Sequence, residues 1–156
     1  MSGIVGGAGS KSGVIGTTEI DYETGSFTPT IEFGGAFSGG SYLFQVGKYT
    51  KIGNRCFFNC SVRVNAGGSS SGGTVIQGLP FTSLNLSDNY SPCAIELGAM
   101  PDTTQTMYAG RIDANTSYIT IKQLAADGEM PPMASSQFSA TQGFVMFTGS
   151  YEVEGG

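Results

Sequence analysis

An antiparallel all-β domain, a β-sandwich of jelly-roll type led by an extended Gly-rich arm, is the fold class this chain predicts, on three observations. Glycine is abundant, at 25 of 156 residues, and only 12% of residues are charged; Gly, Ser and Thr disfavour helices, glycine by about 1 kcal/mol relative to alanine. Apolar and polar residues alternate with period two in run after run, the pattern of strands buried on one face. The runs are separated by turn-rich segments at short intervals, which suits a sandwich or barrel. The length allows one domain with a sizeable core.

Residues 1–24 read as the arm. They are Gly-rich, and Ile4, Val5, Val14, Ile15 and Ile20 are apolar residues too thinly spaced to build an element, so the segment is expected to become ordered by lying on another protein. Residues 25–156 form the domain. The first strand, 26–33, contains Pro29, which cannot donate to a ladder and therefore places the strand at a sheet edge. Further strands are predicted at 43–51, 55–64, 74–79, 93–100, 107–113, 117–123 and 144–153. The clearest is 55–64, where Cys56, Phe58, Cys60, Val62 and Val64 form an apolar face while Asn59, Ser61 and Arg63 point outward. Phe57 breaks the polar side of that strand and is a candidate for subunit contact.

If successive strands alternate in direction, the connections 34–42, 65–73, 101–106 and 124–143 emerge at one pole. The tight turns around Gly53 and Asn115 and the longer 80–92 connection emerge at the other, together with the arm. The 20 residues of 124–143 exceed an ordinary structureless loop and can hide a short strand near Phe138. Within it, Met130-Pro131-Pro132-Met133 is a rigid apolar bend suited either to docking a neighbour or to covering the end of the sandwich.

Composition excludes several functions. Twelve acidic against seven basic residues give a net charge of -5, which repels nucleic acid and anionic lipid. There is no histidine, so serine-triad and cysteine–histidine chemistry lack their base and metal sites their commonest ligand. No metal or cofactor is expected. Residues 1–20 carry no signal-peptide core and no run approaches the roughly 20 apolar residues of a membrane span, so a chain made in the cytoplasm, without membrane insertion, is expected. Cys56 and Cys60 lie about 13 Å apart along a strand, beyond the roughly 4.4–6.8 Å a disulfide tolerates; all three cysteines are expected as buried thiols.

No catalytic set emerges. Lys11-Ser12 ends like a phosphate-binding loop, but Ser10 stands where glycine is required and no strand precedes it. Glu96, Asp102, Asp113, Asp127 and Glu129 could furnish a glycosidase pair, yet nothing singles out two of them, and acidic residues in turns are normally solvated. The chain reads as non-enzymatic. Most strand phenylalanines belong to the core; Tyr42, Tyr90 and Tyr108 border loops, where a ring with a polar tip stacks on sugars or fills an interface.

Gly25 to Gly35, then Val46-Gly47-Lys48-Tyr49-Thr50-Lys51-Ile52-Gly53-Asn54, then Gly78-Leu79-Pro80-Phe81, led in by Ser12 to Glu19 and closed by Thr148-Gly149-Ser150-Tyr151, resemble a recurrent β-domain of tailed-bacteriophage virion proteins. The likeness is strongest over residues 10–81, and Phe27 stands where the family commonly has Trp. The resemblance implies a structural, usually trimeric, module of a tail fibre, head fibre or spike, located in the virion and assembled in the cytoplasm of the infected bacterium. Two functions then stand open. One is host attachment, with the pole away from the arm as the exposed tip and Phe37, Tyr42, Asp102, Gln105, Tyr108, Met130 and Gln137 offering rings, amides and carboxylates to a host surface glycan. Alternatively, these residues only cap the domain or meet a neighbour, and the chain is a capsid-decoration or cement protein held by its arm, which the absence of a shaft favours. In either case the arm is the expected contact with other virion proteins, whether capsid, portal or tail.

Overall fold

The computed structural model describes residues 21–99, 107–138 and 141–154. Among these residues nine strands form, β1 (Tyr22–Phe27), β2 (Thr30–Phe33), β3 (Gly40–Ile52), β4 (Arg55–Gly67), β5 (Thr74–Gln77), β6 (Ser91–Gly98), β7 (Tyr108–Ile112), β8 (Tyr118–Gln123) and β9 (Phe144–Glu152). The 124–143 connection shows, among its described residues, one 3₁₀ turn at Ser135–Gln137 and isolated bridges Gly73–Ala134 and Lys122–Pro132. No strand forms near Phe138 among the described residues; the bridges fall ahead of it, at Pro132 and Ala134.

Every strand pair is antiparallel, and the strands form one continuous sheet in the order β1-β3-β4-β9-β6-β7-β8-β5-β2. The ladder thus differs from the expected jelly-roll sandwich of two sheets. Pro29 explains how its ends meet. The predicted first strand divides there: β1 pairs with β3 and β2 with β5, so one length of chain serves both ends of the sheet. Pro29 has no N–H to give either ladder, and pairing changes hands at that residue. Tyr22 to Thr24, assigned to the arm on sequence, are ladder residues of β1 opposite Ile52 to Thr50.

Curling brings the two halves of the sheet face to face around one core. Ile31, Ile76, Ile112, Ile119, Ile121, Val62, Val64, Val145, Phe147 and Tyr151 are all buried there, each such side chain contributing about 1.5–3 kcal/mol on removal from water. In β4, Cys56, Phe58, Cys60, Val62 and Val64 are buried while Phe57 and Asn59 are exposed, as the alternation predicts. Two register shifts flank Tyr42, one leaving Asn65 of β4 and one leaving Leu43 of β3 out of the β3–β4 ladder.

The seam beyond β1 is closed by side chains. Gln45 Nε2 donates to the Pro29 carbonyl at 2.8 Å. The Tyr42 hydroxyl donates to the Ile31 carbonyl and accepts from the Ile31 amide.

Candidate functional site

Antiparallel pairing throughout fixes which connections share a pole. The segments 34–39, 68–73 and 124–143 emerge at one end, with the connection that leaves β6. Gly53-Asn54, 78–90 and 113–117 lie at the other, where Asp21 enters. The two poles and the outward side of the sheet are the surfaces available to a ligand or partner.

At the distal pole the loops are knitted to one another. Gly34 N–H donates to Gly73 O at 3.0 Å, Ser69 N–H to Ser38 O at 3.0 Å and Ser135 N–H to Gly72 O at 2.9 Å. Gly68 has a φ of +67° and lies so close to Ser38 that an added Cβ would sit 2.2 Å from its carbonyl oxygen, which leaves no place for a side chain. Beneath the loops is an aromatic plug. Phe33 lies 6.0 Å from Phe37 and 5.8 Å from Phe138 between ring centroids, and Phe37 lies 4.8 Å from Tyr42. Met133, at the end of the double-proline bend, is fully buried, so the bend covers the end of the core.

The structure therefore assigns structural work to several residues proposed as ligand contacts. Phe37 is half-buried in the plug, and Tyr42 holds the seam, where burial raises its hydroxyl pKa. Tyr108 packs against the core. Gln137 Oε1 accepts from the Ala134 amide at 3.0 Å, and Met130 is half-buried. Asp102 and Gln105 lie outside the described residues, as do Ile4, Val5, Val14, Ile15 and Ile20 of the arm. Among the described residues this pole keeps a hollow of about 200 Å³ between Phe33, Gly68, Ser70, Ser135 and Phe138, and one of about 320 Å³ at its outward rim between Phe44, Arg63, Ala99, Gln142 and Phe144.

Carboxylates named as acid–base candidates are dispersed. Asp113 pairs with Arg111 at 2.6 Å, Asp127 accepts from the Glu129 amide at 3.0 Å in a distal turn, and Glu96 points outward from β6. Among the described residues no group of three His, Cys, Asp or Glu is placed to hold a metal ion. Cys56, Cys60 and Cys93 are buried and unbridged. Burial pushes the Cys60 and Cys93 thiols up to about 12, so the reactive thiolate form is suppressed.

At the arm pole, Lys51 is a buried cation. It faces inward from β3, pairs with the Asp21 carboxylate and lies 5.8 Å from the Phe81 ring centroid. The Asp21 carbonyl also accepts from Gly53 N–H at 2.7 Å. Tyr151 pins the adjoining loop, its hydroxyl donating to Phe81 O at 3.1 Å and accepting from Phe81 N–H at 3.3 Å. A hollow of about 650 Å³ opens beside Lys51, Phe81, Asn85, Asn115 and Glu154. Sequence reading missed Lys51, although its parity with the half-buried Tyr49 marks it as inward.

The third surface is the outward side of β1, β3, β4, β9 and β6. Register places Val46, Ser61, Met146 and Glu96 in one row across four strands, and Lys48, Asn59, Thr148 and Ala94 in the next. Together they line a groove of about 540 Å³.

The chain matches no protein-family model and no curated protein. Its fold is similar to part of a solved structure, the crystal structure of the Dettilon tailspike protein (gp208), with a TM-score of 0.66 and 24% identity over 84% of this chain. The match spans 24% of the tailspike, so this chain corresponds to about a quarter of that protein's length.

Proposed function

We propose that this chain is a non-enzymatic virion domain of a tailed bacteriophage, of fibre or spike type, that self-associates as a homotrimer and turns its distal pole toward a host surface glycan. The observation that carries the reading is the likeness, over 84% of the chain, to part of a tailspike, in agreement with the motif resemblance of residues 10–81. In this reading the arm joins the domain to other virion proteins, and assembly takes place in the cytoplasm of the infected host. Locating the chain on the particle by cryo-EM or labelled antibody is the direct test, and a position on the capsid lattice would overturn the fibre or spike assignment. No turnover of host polysaccharide is expected; hydrolysis abolished by changing one Asp or Glu would overturn the non-enzymatic reading.

A capsid-decoration role is favoured by one feature, the aromatic plug that fills the space beneath the distal loops. The two readings part in adsorption. Arginine at the exposed Ser71, Ala126 and Ser136 should slow attachment of otherwise normal particles if that pole meets the host. Normal attachment would favour decoration.

A further inference from the structure

The large hydrophobic side chains left exposed among the described residues are Tyr22, Leu43, Phe44, Val46, Ile52, Phe57, Leu86, Tyr90 and Met107. Five of these nine share one sheet face, because the ladder puts Tyr22 beside Ile52 and gives Phe44, Val46 and Phe57 the same outward parity. Phe57 and Val46 are 46% and 50% exposed. The outward side of β2, β5, β8 and β7 is different, carrying Glu32, Gln77, Lys122 and Arg111. Concentrated exposed apolar surface on one side marks an interaction surface.

We propose that the outward face of β1, β3, β4, β9 and β6 is where copies of this chain pack on one another. The proposal rests on the self-association inferred above and names the surface that performs it. Charge arrangement favours a second copy as occupant. Lys48 stands on β3 at one side of the groove, next to apolar Val46 on the same strand, and Glu96 stands on β6 at the other, next to Met146 of β9. A neighbouring copy that sets the β6 side of its face against the β3 side of this one brings its Glu96 to Lys48 and covers Val46, a contact that can repeat around a three-fold. Five strands spaced about 4.8 Å and some nine residues long present roughly 700 Å² of flat face, which a three-fold divides between two neighbours.

The test is self-association of the full chain, measured by sedimentation and native mass spectrometry with folding followed by circular dichroism. Phe57→Glu and Val46→Glu should each weaken association at least about tenfold. Lys48→Glu and Glu96→Lys should weaken it singly and restore it when combined. This charge reversal also decides the matter if the Phe57 or Val46 variants fail to fold. A folded Phe57→Glu variant and single charge variants that associate like the parent would overturn this face while leaving the trimer standing. A parent dimer split by Phe57→Glu would keep the face and overturn the three-fold. A monomeric parent would overturn both.

Discussion

The Tyr42 hydroxyl lies 3.1 Å from the Ile31 amide nitrogen and 3.2 Å from the Ile31 carbonyl oxygen, so one side chain of β3 satisfies both backbone groups of a residue on β2. Tyr151 repeats the device at the opposite pole, on Phe81. In each case a tyrosine supplies the donor and acceptor that a neighbouring strand would otherwise provide, and Tyr42 does so where the sheet's two ends meet.

Tyr42→Phe should therefore destabilise the domain by about 1–3 kcal/mol, the cost of leaving part-buried backbone groups unsatisfied. Tyr22→Phe, on an exposed ring, should be neutral. Urea unfolding of the two variants compares them directly, and equal midpoints would remove the seam from the account.

Asp21→Asn should cost more stability than Lys51→Met. The first leaves the buried Lys51 ammonium without its carboxylate, whereas the second removes the cation and leaves the half-exposed Asp21 in water. The expected loss for Asp21→Asn is about 1–2 kcal/mol, below that of a fully buried pair because water reaches Asp21. The opposite ranking would show that the pair is not what secures the entry of the chain.

Gly68 and Gly35 both have positive φ, but a Cβ at Gly68 meets the Ser38 carbonyl whereas one at Gly35 meets nothing within 4 Å. Gly35→Ala should cost about 1 kcal/mol for the left-handed backbone alone. Gly68→Ala should cost clearly more, because two distal loops must part. Thermal melts of the pair separate conformational strain from steric exclusion.

Stability should fall in alkali. Burial raises the Cys60 and Cys93 thiols from 9.0 to about 12, so above about pH 9 the unfolded chain releases protons that the folded chain keeps, and the equilibrium shifts toward unfolding. The contribution is intact below pH 9 and declines as the pH climbs toward 12, with Tyr151, also raised by burial, acting in the same sense. Unfolding midpoints measured across this range should decline less steeply in a Cys60→Ala, Cys93→Ala variant. A thiol reagent near neutral pH should label none of Cys56, Cys60 and Cys93 until the chain unfolds.

Much of the strand pattern was legible in the chain itself. The alternation of 55–64 determines which of its side chains enter the core, because successive residues on a strand point to opposite faces. Strand count and alternating direction also fix that 34–42, 65–73 and 124–143 share a pole. Phe57 could be read as an outward apolar residue from its parity alone. What alternation does not encode is which strand lies beside which: the same in-out pattern satisfies two stacked sheets or one curled sheet, and only long-range hydrogen bonding makes β9 the neighbour of both β4 and β6. Tertiary packing likewise gives two of the tip residues, Tyr42 and Phe37, structural contacts. Tyr42 and Phe37 border a loop in sequence, but curling carries β2 against β3, where an unpaired backbone edge and a gap above Phe33 bind that hydroxyl and ring more strongly than water does.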